Sequence, residues 1–342
     1  MKSIYVILGA VIWSSTLSAQ GFDEHIRTSH VPPSLAGPSD LQSQTFTQAI
    51  DHSSAKSSTF AQRYWVDSQY ASGPDAPVIY HMCGEGDVEE SYFLTDAVIE
   101  WAQQLGARVV FLEHRYYGQS LPFDDFTTEH LRYLTLDNVM EDLATFQKWL
   151  STQQGWTGKW IAVGGSYSGT MAALYRQKHP ELVVGALASS APMISGKGNI
   201  ISNANDLEGD PWSYQGCTQL GYWQADSADI TGNLEIPSQA ACAEAFPGAP
   251  FASYQFYNQT YDQPFLASGS CSPSNILFTY GSNDVWTNLG LVEQTNNNSG
   301  VTISMIQGAG HHFDLNAPSS DDTAAVIAAR NLFITLAKQW LN

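Results

Sequence analysis

The sequence WIAVGGSYSG at residues 160–169 decides the fold. Its first four residues form an uninterrupted apolar run, which is typical of a buried strand, and a helical pattern follows over 169–179. Ser166 lies among small residues between the two. A serine in such a strand–turn–helix context is typical of a nucleophile elbow, which projects the hydroxyl from the edge of a sheet. The usual pattern has glycine two residues after the serine, whereas Ser168 occupies that position here.

Strand and helix patterns alternate on both sides of this stretch. Strands are predicted over 60–66, 78–82, 108–112, 160–163, 183–188, 276–280 and 301–306, and helices over 92–105, 136–150, 169–179 and from about 321 to 341. Such alternation predicts a mostly parallel sheet with helices on both faces. Residues 21–55, rich in Ser, Thr, Gln and Pro, are predicted to be an extended lead-in.

The alternation stops between about 192 and 274, where Gly, Asn, Ser, Pro and aromatic residues accumulate. We interpret this stretch as an insertion that lies over the sheet. The domain prediction is therefore a main domain formed by 20–191 and 275–342, with 192–274 as a cap insertion.

The N-terminus has the pattern of a secretory signal peptide. A basic start at Lys2 precedes an apolar run over 4–13, and small residues lead to Ala19. We predict that residues 1–19 are removed on export. The alternative, a membrane anchor, is disfavoured because about ten apolar residues are too few to span a bilayer.

The composition restricts the partners. The chain has 342 residues and a formal net charge of -19, with 43% hydrophobic residues. An acidic surface repels phosphate backbones and anionic lipid, so we expect neither a nucleic-acid nor a membrane partner. Together with the leader, this charge favours a secreted or periplasmic protein, or one in an acidic lysosome-like compartment. The oligomeric state is left open.

Export permits disulfides, and the chain has four cysteines. They form no CxxC pair and have no histidine at zinc-ligand spacing, so we expect no metal site and no cofactor. Cys217 and Cys242 bracket one irregular stretch and could cross-link it. The spacing alone leaves all three pairings of the four cysteines open.

Two further residues complete a candidate catalytic set. A reactive serine needs a base and a group that orients the base, and after such an elbow the acid and then the histidine follow late strands. Asp284 follows the strand at 276–280, and His311 follows the strand at 301–306. His312 competes for the role of base. Asp314 is a rival acid, but it is too close in sequence to reach the His311 ring from behind.

Backbone N–H groups could stabilise a developing oxyanion. One candidate is the N–H of Tyr167, at the start of the helix after the elbow. The second is the N–H of Gly84 or Glu85, in the glycine-containing loop CGEGD after the strand at 78–82. A simple turn is the alternative for this loop, and Glu85 and Asp87 could instead bind a substrate amine.

The segment EHRYYGQS at 113–120 predicts a structural feature near the same edge of the sheet. Arg115 lies two residues from Glu113 at a strand end, which suggests that they form a buried ion pair. We expect this pair to shape the cleft floor rather than to take part in chemistry. Buried, hydrogen-bonded structural roles are also predicted for His81 and His114.

Several motifs together resemble one family. EHRYYGQS (113–120), GGSYSG (164–169), WSYQGCTQLGYWQ (212–224), GSNDVW (281–286) and GHHFDL (310–315) resemble the serine peptidases that include prolyl carboxypeptidase, dipeptidyl peptidase II and fungal prolyl endopeptidases. The matches occur in family order and cover most of the chain from about residue 60.

The resemblance implies an α/β-hydrolase fold with a cap, and cleavage of peptides after proline. It implies that Ser166, Asp284 and His311 form the catalytic triad, and that Trp286 lines the pocket for the proline ring with Tyr222 or Trp223. It also makes a Cys217–Cys242 disulfide plausible, which would leave Cys83–Cys271 as the second pair. The cap is much smaller here than in the family, and Val285 stands where proline is common.

The resulting hypothesis is a secreted serine peptidase acting on peptide substrates. An esterase or lipase would use the same triad on the same scaffold and differ only in its pocket. A catalytically dead hydrolase fold that serves as a binding protein is a third possibility, but such proteins normally lack a triad member.

Overall fold

The computed structural model describes residues 41–88, 97–194, 199–201, 207–221, 223–224, 234–251, 274–292 and 300–342. These residues belong to one compact unit. The predicted signal peptide, residues 1–19, lies outside the described residues and stays a prediction.

The described strands, in chain order, are β1 (Gln44–Ala49), β2 (Thr59–Asp67), β3 (Val78–Met82), β4 (Arg108–Leu112), β5 (Trp160–Gly165), β6 (Gly185–Ser189), β7 (Asn199–Ile201), β8 (Trp223–Gln224), β9 (Leu234–Pro237), β10 (Ile276–Gly281) and β11 (Val301–Ile306). Eight of them form the main sheet in the order β1-β2-β4-β3-β5-β6-β10-β11. Neighbours in this order from β4 to β11 pair in parallel. Strand β2 pairs antiparallel with both of its neighbours, β1 and β4.

The described α-helices are α1 (Val98–Leu105), α2 (Thr128–Leu131), α3 (Leu136–Gln154), α4 (Tyr167–Lys178), α5 (Pro211–Gln215), α6 (Gln239–Ala245) and α7 (Ala324–Leu341). Sequence signals fix their ends. The Thr135 side chain accepts a hydrogen bond from the N–H of Asn138 and caps α3, which ends at Gly155 in the left-handed conformation. In the described part of the chain, no helix has the length and apolarity needed to cross a bilayer.

Helices cover the sheet on both faces. All five residues of β3 are buried, and they alternate between the two layers of the core. Tyr80 packs in one layer with residues of α3 and α4, such as Phe146 and Tyr175. Ile79 packs in the other layer with residues of α1 and α7, such as Trp101 and Phe333. The predicted mostly parallel sheet with flanking helices is confirmed.

Strand β1 was not predicted and corrects the extended lead-in assigned to residues 21–55. It pairs antiparallel with β2. The alternation that marks a strand is hidden because one inward position is Gln48, which is fully buried. Its amide donates to Gln62 Oε1 at 2.9 Å and to the Asp142 carbonyl at 3.2 Å, which satisfies the polar group inside the core.

The predicted cap insertion contains α5, α6 and a small sheet in which β9 lies between β7 and β8. A disulfide joins Cys217 and Cys242, with Cα atoms 5.5 Å apart. It links the π-helical turn Gly216–Leu220 to α6. Cys271 lies outside the described residues, so the Cys83–Cys271 pair stays a prediction, as do the cap boundaries at 192 and 274.

Candidate active site

Ser166 occupies the turn between β5 and α4 in a conformation that few L-residues adopt, with φ 56° and ψ −132°. Such strain persists only where the surroundings hold it, and it is common at catalytic positions. The Ser166 N–H donates to the Ser189 carbonyl at 2.9 Å, which ties the turn to the end of β6. A Cβ at Gly164 would lie 2.2 Å from the Ser168 carbonyl oxygen, so strand and helix can approach this closely only with glycine there.

The structure gives Ser168 a role that glycine could not fill. Its hydroxyl donates to the Gly165 carbonyl at 2.6 Å and lies 3.0 Å from the Gly165 N–H, from which it accepts. The departure from the usual motif therefore adds a local hydrogen-bonded brace to the turn.

Asp284 and His311 are brought together by the ends of two neighbouring strands, β10 and β11. His311 Nδ1 lies 2.9 Å from Asp284 Oδ1 and 3.0 Å from Oδ2. The Asp284 side chain is fully buried, and that of His311 is partly exposed. The Trp286 N–H also donates to Asp284 Oδ1, at 2.9 Å. The pair has the geometry in which a buried carboxylate orients an imidazole.

Burial favours the neutral form of Asp284, yet its pKa is held below the ordinary value. The hydrogen bond from His311 and its charge outweigh the burial, with further hydrogen bonds from Ser190 and from the Trp286 N–H. Asp284 is therefore a carboxylate over the working pH range of an ordinary hydrolase.

The loop that carries the two histidines packs on the elbow. A Cβ built on Gly165 would lie 3.1 Å from His312 Cγ and 2.6 Å from Leu315 Cδ1. The loop that follows β11 therefore crosses the ends of β10 and β6 to reach the residue before Ser166. The two histidine rings are 4.6 Å apart, and His311 is the one that hydrogen-bonds Asp284.

Ser190 joins these parts, and sequence analysis missed it. It follows β6 with φ 47°, and its hydroxyl accepts from the His312 N–H at 2.8 Å. The same hydroxyl bonds to Asp284. A serine directly after a strand that neighbours both the elbow and the acid strand was the available signal, but the neighbour relation is not visible in the sequence.

The loop after β3 packs against the start of α4. A Cβ built on Gly84 would lie 3.6 Å from Ser168 Cβ, which is an ordinary packing distance, so the backbone of Gly84 lies next to the elbow. Glu85 and Asp87 are exposed. A role for the N–H of Gly84 or Glu85 as the second oxyanion donor stays a prediction.

Glu113 holds this loop, and its partner corrects the prediction of a Glu113–Arg115 pair. The Glu113 side chain is fully buried and forms its ion pair with Arg63. It also accepts from the Ser120 hydroxyl at 2.6 Å and from the Val88 N–H at 3.3 Å. Arg63 Nη2 reaches Asp87 Oδ1 at 2.9 Å, so both ends of the ion pair anchor the 84–88 loop.

Arg115 pairs instead with Asp142 of α3, at 2.6 Å from its Nε to Asp142 Oδ2. Both side chains are buried. The remaining guanidinium donors reach the carbonyls of Ala49, Ile50 and Tyr133. Arg115 thus ties the end of β1 to α3, because β1 supplies carbonyl acceptors that were not foreseen from the sequence.

Trp286, predicted to line the substrate pocket, is largely buried, with its ring centroid 6.1 Å from that of His311. Tyr222 lies outside the described residues. Trp223 lies in β8, where only the backbone is described. Both pocket assignments stay predictions.

Asp314 is buried on the same loop as His311 but faces other groups. It accepts from the Ser189 hydroxyl at 2.6 Å and from the Thr279 hydroxyl at 2.8 Å. Burial raises its pKa above the ordinary value, against the lowering effect of these bonds. It therefore anchors the loop to the ends of β6 and β10. Across the residues that the structure describes, no group of three His, Cys, Asp or Glu side chains could hold a metal ion.

Among solved structures, the chain is similar to a bacterial heroin esterase. The TM-score is 0.52 at 13% identity, covering 95% of this chain and 91% of the esterase. At this identity the likeness concerns the fold, and it confirms the α/β-hydrolase fold.

Among curated proteins, the chain is 40% identical to the human lysosomal Pro-X carboxypeptidase over 156 residues, which is 43% of this chain and 31% of that protein. It is also 40% identical to the thymus-specific serine protease of Mus musculus over 137 residues, 40% of this chain and 27% of that protein. The matches thus span less than a third of these relatives' length.

The family profile of serine carboxypeptidase S28 matches residues 48–204 and 195–333, which is most of the chain. These segments contain the elbow, the Asp284–His311 pair and the cap, in the order that the motifs indicated. The chain belongs to the serine carboxypeptidase S28 family.

Proposed function

We propose that this protein is an exported serine peptidase that hydrolyses peptide bonds after proline. One observation carries the proposal: Asp284 and His311 are hydrogen-bonded beside the strained turn that presents Ser166. Family membership supports peptide substrates, because relatives are named as serine proteases and as a Pro-X carboxypeptidase.

The contacts of His311 support a different role for each of its ring nitrogens. Nδ1 lies within 3.0 Å of two carboxylate oxygens of Asp284, which only accept, so Nδ1 carries the proton. In the neutral ring Nε2 is then a base with a lone pair for the hydroxyl of Ser166. Asp284 stabilises the imidazolium that forms when Nε2 takes that proton.

The proposed reaction has two halves. Ser166 Oγ attacks the proline carbonyl carbon while its proton passes to His311 Nε2, and the carbonyl oxygen becomes an oxyanion. The N–H groups of Tyr167 and of Gly84 or Glu85 stabilise that charge. His311 then protonates the leaving amine as the C–N bond breaks, which leaves an acyl-enzyme. Water, activated by the same ring, hydrolyses the ester and restores Ser166.

The pocket proposal rests on Trp286. Its indole is adjacent to His311 and packs in the core at the start of the 3₁₀ turn Val285–Leu289. A flat, rigid aromatic wall suits the apolar pyrrolidine ring of proline. Tyr222 and Trp223 are proposed to complete the pocket from the cap.

The proposed location is outside the cytosol or in a lysosome-like compartment. The disulfide between Cys217 and Cys242 supports it, because disulfides form and persist mainly in oxidising compartments. The predicted leader at 1–19 agrees with this location.

Covalent labelling tests the nucleophile. A fluorophosphonate probe should label the wild-type protein at Ser166, and Ser166→Ala should lose both labelling and several orders of magnitude in kcat. Ser168→Ala is the matched control. It removes another serine hydroxyl of the same motif, which braces the turn through its bond to the Gly165 carbonyl. Normal turnover by Ser166→Ala, or a label at another residue, would refute the assignment.

The substrate class needs a separate experiment. Mass spectrometry of the products from a mixed peptide library reports the residue before each cut and the end from which cutting proceeds. We expect proline before the cut. A parallel panel of short and long acyl esters provides the contrast, since turnover of esters alone would identify the protein as an esterase.

A further inference from the structure

Four buried polar side chains form a continuous hydrogen-bonded chain between the cap and the elbow. The Tyr117 hydroxyl lies 2.6 Å from Gln215 Oε1, and Gln215 Nε2 lies 2.8 Å from the Tyr167 hydroxyl. That hydroxyl is 3.2 Å from His114 Nε2, and His114 Nδ1 is 2.7 Å from the Arg115 carbonyl. We call this the Tyr117–His114 chain. It joins the loop after β4, the cap helix α5 and the first residue of α4.

The direction of every bond in the Tyr117–His114 chain follows from its His114 end. A carbonyl only accepts, so His114 Nδ1 carries a proton. Burial lowers the pKa of His114 to about 4, which keeps the ring neutral above that pH and makes Nε2 an acceptor. Tyr167 must then donate to Nε2. Its oxygen accepts from the Gln215 amide, whose own oxygen accepts from Tyr117.

A reversed Gln215 amide would break this order. Tyr167 has one proton, and a reversed amide would require it for Gln215, which would leave His114 Nε2 with no donor from Tyr167. An unsatisfied polar group in a buried site is destabilising. The arrangement thus requires a donor at position 215 toward Tyr167, which the NH₂ of Gln215 supplies.

Within the Tyr117–His114 chain, Tyr167 is the residue that lies next to the proposed nucleophile. It follows Ser166 directly, its side chain is fully buried, and its ring packs edge-on against Trp212 with centroids 5.6 Å apart. Its backbone N–H is the proposed oxyanion donor. An error of about 1 Å in such a donor can cost on the order of 100-fold in rate. One ring contact and one hydrogen bond from the cap therefore act on a residue whose backbone N–H is proposed to bind the oxyanion.

The cap segment that supplies Gln215 is itself held in place. Asp210 caps α5 by accepting from the Ser213 N–H at 2.8 Å, and Pro211 occupies the first helical turn. The disulfide at Cys217 follows two residues after Gln215. Gln215 is fully buried between the cap and the body of the protein.

We propose that Gln215 is a positioning residue of the active site: through the Tyr167 side chain, the cap helix α5 fixes the oxyanion-binding N–H of the elbow. The cap is then part of the catalytic apparatus as well as a cover over the substrate. This inference rests on the proposed function, because it assigns a role in the reaction of Ser166.

The first test compares Gln215→Leu and Tyr167→Phe with Gln219→Leu. Gln219 is a matched control on the same cap segment, because its amide oxygen accepts from the Leu136 N–H at 3.1 Å instead of facing the elbow. We expect Gln215→Leu and Tyr167→Phe to lower kcat on the order of 10- to 100-fold, with KM within about threefold of wild type. Gln219→Leu should keep kcat within about twofold.

Coupling between the two sites sharpens the test. If Gln215 acts only through Tyr167, the double variant should be no slower than the slower single variant. Multiplicative losses, or a Gln215→Leu kcat equal to that of Gln219→Leu in folded protein, would overturn the proposal. Tyr167→Phe keeps it testable if Gln215→Leu fails to fold, because the ring and its packing are retained.

A pH profile of Gln215→Glu separates positioning from a structural role. An ionised carboxylate cannot donate to Tyr167, but a protonated one can. The kcat of Gln215→Glu relative to wild type should therefore rise at least fivefold as the pH falls from 7 to 4.5, and a flat ratio would overturn the proposal. The titratable or charged groups in or around the Tyr117–His114 chain are His114, Tyr117, Tyr167, Glu85, Asp210, Arg115 and Asp142.

The same assays distinguish failure of the inference from failure of the proposed function. The rate of fluorophosphonate labelling measures the reactivity of Ser166 for any substrate class. If wild type and Gln219→Leu are both unreactive, the proposed function fails and the inference with it. If both react normally and Gln215→Leu reacts at the same rate, only the inference fails.

Discussion

Asp284 and Asp314 are both buried near the ends of β10 and β11, and their partners decide their roles. Asp284 faces an imidazole and is held as a carboxylate. Asp314 faces two hydroxyls, and burial raises its pKa. In the proposed mechanism the negative charge on Asp284 has a function that a neutral amide cannot supply, whereas the contacts of Asp314 need only polar atoms.

The matched variants Asp284→Asn and Asp314→Asn test this difference. Asp284→Asn should lower kcat about 10⁴-fold, because the amide favours the wrong tautomer of His311. Asp314→Asn should stay within about tenfold of wild type, since an amide can bond to both hydroxyls. Steady-state kinetics on one peptide substrate decides, and equal losses in the two variants would contradict the assignment of Asp284.

At the residue scale, sequence order predicted which acid and which histidine would meet. The Asp284–His311 contact follows from parallel topology, since both residues end neighbouring strands. Partners that depend on three-dimensional neighbours were not predictable. The Glu113–Arg63 ion pair and the Ser190 contacts join elements that are distant in the chain, and nearest neighbours in sequence gave the wrong partner for Arg115.

At the scale of elements, the glycines of the elbow determine how closely β5 and α4 pack. Gly164→Ala should lower the free energy of unfolding by about 1–3 kcal/mol or more, because the new Cβ meets backbone atoms that cannot move away easily. Gly86→Ala is the control, since a Cβ there has no atom within 4 Å. Urea unfolding should show a change within about 0.5 kcal/mol for the control. Equal effects would contradict close packing at the elbow.

The cap disulfide closes a loop of 25 residues. In the chain-entropy description such a cross-link contributes about 3 kcal/mol. Replacing Cys217 and Cys242 together by Ala should therefore lower the unfolding midpoint of the cap. The measurement is the protection of the cap amides in hydrogen exchange. Unchanged protection in α5 and α6 would show that packing alone holds the cap.

Elements with strong patterns were predicted closely. The bounds of β3, β4 and β11 match the expected ranges 78–82, 108–112 and 301–306. Buried parallel strands give continuous apolar runs, which are hard to mistake. Strand β1 and the short cap elements were not predicted, because buried glutamines and tertiary contacts stabilise them instead of a local hydrophobic period.

At the scale of the whole molecule, the buried His114 makes stability depend on pH. Its pKa is about 4 in the folded protein because of burial, whereas the ordinary value is 6.5. Between these values the unfolded chain binds a proton that the folded chain does not, so stability falls as the pH falls from 6.5 to 4. The full effect is about 3 kcal/mol and levels off below pH 4.

Chemical denaturation of wild type and His114→Gln at several pH values measures this effect. The net charge of -19 also changes on acidification, but both proteins share that change. The difference in the free energy of unfolding between them should therefore shift in favour of the variant as the pH falls through this window. A difference that does not vary with pH would contradict a neutral buried imidazole.

The described elements of the predicted cap, from β7 to α6, lie in the chain between the end of β6 and the start of β10, which are neighbouring parallel strands. No register in the main sheet depends on the length of the crossover between these two strands. We therefore expect that chimaeras with a larger cap between Ser190 and Asn275 keep the main sheet intact. If Gln215 positions Tyr167 as we propose, a donor cap should also carry a glutamine at that place for the chimaera to keep full activity.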